Sequence, residues 1–189
     1  MIDPNYYQNR YRINSIRLQS WDYSLPGMYF ITICTKNRVP WFGHIKNSIM
    51  GLNIIGCIVN KYYLQIPNHY PNCRLDELII MPNHIHGIIE INNEQGRDGV
   101  CQQNIEINNE QGRDGACPVS TKRHTLSNVV GSFKSICTNK IHKIGYNQFK
   151  WQSRFYEHII KTDKESLETI RHYIKYNPIM WNGDGNNLD

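Results

Sequence analysis

The stretch LDELIIMPNHIHGIIEI, residues 75–91, decides the architecture of this chain. Two runs rich in aliphatic residues, Leu75–Met81 and His84–Ile91, flank Pro82-Asn83. A Pro-Asn dipeptide between two such runs favours a turn, so the segment reads as a β-hairpin. Upstream, Tyr29–Thr35 (YFITICT) follows Pro26-Gly27 and has the aromatic and β-branched character of a buried strand. Between the two, Leu52, Ile55, Val59, Tyr62, Tyr63 and Ile66 recur at helical spacing, which predicts a helix over 49–66 closed by Pro67. Downstream, Leu126–Ile144 places Leu126, Val129, Val130, Phe133, Ile136 and Cys137 on one side of a helix that Gly145 stops. Phe155–Ile160 reads as a short strand. A last helix opens on a capping box, Thr162 and Glu165, carries the stripe Leu167, Ile170, Ile174, and ends at Asn177-Pro178.

The order β-α-β-β-α-β-α is that of an α+β protein, a ferredoxin-like antiparallel sheet with helices packed on one face. One tandem repeat interrupts it. Ile89–Cys101 reads IEINNEQGRDGVC and Ile105–Cys117 reads IEINNEQGRDGAC, identical but for one residue. Two copies are too few for a solenoid, and the unit offers little to bury. Residues 93–122 are therefore expected to be a flexible duplicated loop inserted in a single domain spanning 1–181. Residues 1–20 form an N-terminal arm and 182–189 a disordered tail in this reading.

At 189 residues, 40% hydrophobic and 20% charged, the chain suits one compact globular domain. It contains no run of about 18 apolar residues to cross a membrane, and Met1-Ile2-Asp3-Pro4-Asn5 is polar rather than signal-like. Six cysteines without a C-x-x-C pair read as reduced thiols, which together point to the cytoplasm. The formal charge of +5 is unevenly spread: residues 121–161 carry eight Lys/Arg against Glu157 alone, and residues 1–40 five against two acids. Without residues 93–122, which contribute −2, the remaining chain stands at +7. Such blocks suit a polyanion, although solvated basic faces would look the same.

In a strand, His84 and His86 emerge on one face while Ile85 points to the other. Two imidazoles one strand-step apart can grip a metal ion; two histidines standing side by side without a ligand give the same pattern. On the last helix, Tyr173 and Asn177 form an i, i+4 pair on one face. If that helix packs on the face carrying the histidines, it delivers both to one place. Otherwise Tyr173 is a core aromatic and Asn177 a helix end.

These stretches together resemble a known family. Tyr29–Thr35 with Arg38, MPNHIHG (81–87), WQSRFYEH (151–158) and RHYIKYNP (171–178) are similar, in this order, to the IS200-like single-tyrosine (Y1) transposases among the HUH nucleases, and more closely to the REP-associated tyrosine transposases. The resemblance implies His84 and His86 as ligands of Mg²⁺ or Mn²⁺ and Tyr173 as nucleophile. Asn177 would be the third, amide ligand, standing where IS200-like enzymes commonly carry Gln. It implies cleavage and rejoining of single-stranded DNA at hairpin-forming, REP-like palindromes through a 5′-phosphotyrosine, by a monomer or homodimer in the bacterial cytoplasm, associated with the nucleoid. Tyr156 and Tyr176 are rival nucleophiles; Tyr176 points about 300° around the helix from Tyr173. Lys134, Lys140, Lys143, Lys150 and Arg154 suit a phosphate track, with Trp151, Phe155 and Tyr156 as stacking faces and Arg10 and Arg12 in a clasping arm. Two other readings remain open, a DNA-hairpin binding protein that has lost turnover and a hydrolase of small phosphoesters.

Overall fold

The computed structural model describes residues 25–92, 125–160 and 164–187. The N-terminal arm with Arg10 and Arg12, the duplicated insertion and Thr162 of the expected capping box lie outside the described residues, as does the side chain of Glu165.

Among the described residues, six strands and four α-helices run in the order β1 (Gly27–Cys34), β2 (Gly43–Lys46), β3 (Ile49–Leu52), α1 (Ile54–Leu64), α2 (Ile66–His69), β4 (Cys73–Ile80), β5 (His84–Ile91), α3 (Leu126–Lys143), β6 (Tyr156–Ile160) and α4 (Lys164–Tyr176). The main sheet is antiparallel with strand order β4-β5-β1-β6. This is the ferredoxin-like arrangement expected from the sequence, with the hairpin of residues 75–91 supplying β4 and β5.

The region read as one helix over 49–66 divides instead. Residues 49–52 pair with 43–46 as a second, two-stranded sheet, turning at Asn47 and Ser48, which both adopt positive φ (51° and 60°). Two consecutive left-handed residues make the hairpin turn whose twist matches its strands. Ser gives no such signal in sequence, so the apolar spacing of Leu52 and Ile55 imitated a helix. The helix proper starts after Asn53, whose Oδ1 accepts from the backbone N–H of Ile55 (2.9 Å) and Gly56 (3.0 Å). That cap satisfies two of the donors a helix start leaves orphaned. Pro67 does not end the helical path either; it sits in the first turn of α2, where its missing N–H costs nothing.

The sheet is covered on both sides. On one, Tyr29, Ile31 and Ile33 of β1 and Ile85, Ile89 and Ile91 of β5 join Ile55, Val59 and Tyr63 of α1 and Val129, Phe133, Cys137 and Ile141 of α3 in the main core. On the other, α4 seals a smaller cluster in which Ile88, Ile160 and Ile174 are buried, with Phe30, Ile79, Leu167 and Ile170 packed around them. A fully buried aliphatic side chain contributes ~2 kcal/mol, so α4 is held by far less apolar burial than α1 and α3. An ion pair adds to it: Arg171 of α4 donates two bonds to the Asp76 carboxylate on β4, at the bulge where the β4–β5 register shifts, and a third to Glu168.

Gly87 lets the main core close, because a Cβ there would lie 2.2 Å from the Tyr63 hydroxyl beneath the sheet. That hydroxyl is buried and has no hydrogen-bond partner among the described residues. Removing a buried hydroxyl that bonds to nothing relieves desolvation, so Tyr63→Phe should be neutral or stabilise by up to ~1 kcal/mol, whereas Gly87→Ala should cost ~2 kcal/mol. Urea unfolding of the two variants checks both signs.

Candidate active site

The turn Met81–Asn83 launches β5 so that its first residue is already a site residue. His84 and His86 point to the α4 side and are buried, at 0% and 2% exposure. Their Nε2 atoms converge to 3.0 Å. The far side of each ring is held: His84 Nδ1 bonds Asn83 Oδ1 (2.8 Å), and His86 Nδ1 bonds Thr32 Oγ1 (2.8 Å) across the β1–β5 ladder. The Phe30 ring stacks beside His86 at 5.4 Å.

From above, α4 brings Tyr173, whose hydroxyl lies 3.4 Å from His86 Nε2. Its ring meets Phe30 and His86 edge-on and remains 47% exposed, so the phenol faces both the imidazoles and solvent. Asn177, one turn on, is buried, and its Oδ1 has no hydrogen-bond partner among the described residues. Tyr156, on β6 opposite Thr32, is exposed and edge-on to Phe30 on the same face. Tyr176 is exposed, its ring tilted against that of His172 with centroids 4.1 Å apart.

A residue outside the expected domain completes the group. Residues 182–187, part of the stretch 182–189 read as a disordered tail, continue from a 3-10 turn at Trp181–Gly183 and lie against the site. Trp181 stacks on His84 at 6.0 Å. Asp184 Oδ1 accepts from Asn186 N (2.7 Å) and Asn186 Nδ2 (2.9 Å), while its Oδ2, buried without a hydrogen-bond partner among the described residues, lies 3.7 Å from His84 Nε2. The nitrogen and oxygen atoms offered by His84, His86 and Asp184 lie within 4.8 Å of one another. No periodicity could have announced Asp184; only Trp181, an aromatic beyond the last helix, hinted that the chain still had something to cover.

The electrostatics follow from this burial. Desolvation, then the neighbouring His86 and Arg38, pushes His84 down to about 2. Desolvation pushes His86 down to about 4 against an opposing pull from Asp184. Both imidazoles are therefore neutral near pH 7, as metal ligands must be. The Tyr173 phenol is shifted upward by partial burial and by Asp184, with Asn177 opposing the shift.

The basic residues are distributed differently from the expected track. Lys134 is turned inward: its Nζ donates to the carbonyls of Gln152 (2.5 Å) and Arg154 (3.4 Å), and burial lowers its pKa. Trp151 packs among Phe42, Phe133 and Phe149 and donates its Nε1–H to Lys134 O (3.1 Å). These two residues secure the 150–155 loop. Phe155 likewise packs against the main core. Lys140, Lys143, Lys150 and Arg154 are exposed, on α3 and the loop that follows it.

This sheet, with a histidine pair on its central strand and a tyrosine on the closing helix, has the fold of the Y1 transposases. A solved structure of a REP-associated tyrosine transposase bound to a REP hairpin matches it with a TM-score of 0.50 over 82% of this chain and 68% of that one, at 19% identity. No family profile matches the chain. An uncharacterized protein of Haemophilus influenzae (strain ATCC 51907 / DSM 11121 / KW20 / Rd) is 40% identical over 170 residues, 90% of each chain, and the chain belongs to one family with it.

Unfolded histidines take up a proton near pH 6.5, whereas these two refuse it until about 4 and about 2. Folding stability is thus full above about pH 6.5 and is lost as the pH falls toward 4, by up to ~1.4 kcal/mol per pH unit per histidine. Thermal unfolding of the metal-free protein should show this loss, and it should shrink in a His84→Gln/His86→Gln variant. An unchanged pH slope in that variant would contradict the burial of the two rings.

Proposed function

We propose that this protein is a metal-dependent, single-tyrosine transposase or endonuclease that cleaves and rejoins single-stranded DNA at hairpin-forming palindromes. The observation that carries the proposal is the Tyr173 hydroxyl 3.4 Å from His86 Nε2, at the rim of two converging neutral imidazoles. The REP hairpin held by the transposase of similar fold supports the choice of substrate class.

The residues present fit a divalent cation. Asp184 Oδ2, buried without a hydrogen-bond partner among the described residues, lies 3.7 Å from His84 Nε2, and Asn177 Oδ1, one turn beyond Tyr173, is likewise buried and unpartnered among them; buried polar atoms are rarely left unpaired without a reason. His84 and His86 would hold Mn²⁺ or Mg²⁺ with oxygen from Asp184 or Asn177. When bound, the ion would supply Lewis-acid polarisation of a phosphate oxygen.

The chain's own residues account for the rest of the reaction. Tyr173 presents its hydroxyl on the half-exposed side of α4, where an extended strand can reach it. The upward shift of the phenol means that it arrives protonated and loses its proton as it attacks. A Tyr173 Oη–P bond forms as the P–O3′ bond breaks, leaving a 5′-phosphotyrosine and a 3′-hydroxyl that takes up a proton. Because no phosphodiester energy is lost, the 3′-hydroxyl can reverse the step. Tyr156, exposed beside Phe30, offers a stacking face to a base next to the scissile phosphate. The exposed Lys140, Lys143, Lys150 and Arg154 would hold the phosphates of the hairpin.

A labelled single-stranded hairpin incubated with Mn²⁺ should yield a denaturation-resistant protein–DNA adduct. The adduct should vanish in Tyr173→Phe and persist in Tyr156→Phe and Tyr176→Phe. An adduct that survives Tyr173→Phe would exclude Tyr173 as nucleophile. A gel shift without any adduct would identify a hairpin-binding protein that does not turn over.

A further inference from the structure

We propose that Asn83 is the positioning residue of this site: its side-chain amide locks His84 in the Nδ1–H tautomer and, through Asn186, anchors the turn that carries Asp184. The inference rests on the metal-dependent reading above but concerns a residue outside the expected ligand set.

The lock follows from donor and acceptor bookkeeping at one buried amide. Asn83 is 3% exposed. Its Nδ2 lies 2.9 Å from the carbonyl oxygen of Arg38 and 2.8 Å from that of Asn186, two groups that can only accept. This fixes the orientation of the amide, since the flipped form would set oxygen against oxygen twice. Oδ1 therefore faces His84 Nδ1 at 2.8 Å, and as an acceptor it requires that nitrogen to carry the proton. His84 Nε2 is left with a lone pair aimed at His86 Nε2 and Asp184 Oδ2.

His86 is held by a different kind of group. Its Nδ1 partner is the Thr32 hydroxyl, which donates or accepts equally well. In the metal-free protein, His86 Nε2 can carry the proton and donate it to His84 Nε2 at 3.0 Å while Thr32 donates to Nδ1. When Nε2 becomes a ligand, the proton moves to Nδ1 and Thr32 turns to accept it. One ligand is thus fixed in advance and its neighbour adapts. Asn83 also reaches the carboxylate, because Asn186, whose carbonyl it holds, donates twice to Asp184 Oδ1 and accepts from Arg38 Nη1. Oδ1 is thereby occupied, and Oδ2 is the oxygen left to face the imidazoles.

Two readouts test this. Imidazole ¹⁵N spectra of the metal-free wild type should show His84 protonated at Nδ1 only, and Asn83→Ala should add the Nε2–H form. Mn²⁺ titration followed by electron paramagnetic resonance should show affinity reduced 10–100-fold in Asn83→Ala. Asn83→Asp, which keeps an acceptor for His84 but loses both donors to the Arg38 and Asn186 carbonyls, should keep His84 in the Nδ1–H form while still binding Mn²⁺ more weakly than wild type. A wild-type His84 protonated at Nε2, or an Asn83→Ala protein binding Mn²⁺ as tightly as wild type, would overturn the proposal. If Asn83→Ala does not fold, the wild-type spectrum and Asn83→Asp decide. A wild type that binds no Mn²⁺ would count against the metal-dependent reading, while the spectrum, recorded without metal, still decides the tautomer.

Discussion

The site depends on one constraint, that β5 is a central strand buried on both faces. Because side chains alternate along a strand, Ile85, Ile89 and Ile91 can seal the main core only if His84, His86 and Ile88 face the other way. A register slip of one residue would drive two imidazoles into the packing beneath the sheet and expose the isoleucines. Apolar burial, a nonspecific force, thus fixes the direction of two specific polar groups. Covering that second face with α4 then removes water from the rings and lowers their basicity.

The helix that provides the cover is the weaker layer. Its apolar contact is confined to a few residues around Ile174, and the Arg171–Asp76 pair, partly exposed, adds only modestly to it. The pair matters more for geometry than for energy, since two guanidinium nitrogens gripping one carboxylate define the rotation of α4 over β4. That rotation leaves Tyr173 half-exposed beside His86, while Tyr176 lies exposed against His172. For the nucleophile proposed for Tyr173, such a margin lets an extended polymer approach where the main core would not.

Lys134 and Trp151 illustrate how charge and aromaticity in sequence can serve structure. Both lie in the most basic part of the chain, yet one bonds two loop carbonyls and the other fills a cluster of aromatic rings. Their joint effect is to hold the 150–155 loop at the end of the sheet where His84 begins. Lys140, Lys143, Lys150 and Arg154 by contrast stay exposed to solvent.

Alternation and helical period made most of this legible. β5 and α3 stand where those patterns put them, and the strand–turn–strand of residues 75–91 placed both histidines on one face before any contact was known. The second sheet was hidden because its turn uses left-handed Asn47 and Ser48, a conformation their identities do not require. Asn83 looked like a turn residue, and Asp184 like part of a polar tail. Asn83 bonds Arg38 and Asn186, 45 and 103 residues away in the chain, and Asp184 comes within 3.7 Å of His84 only because the chain folds back to it. The sequence by itself determined which side chains share a face, since that is a property of local backbone period. Only the tertiary structure decided which carboxylate oxygen and which amide meet the imidazoles, because that depends on where distant segments return.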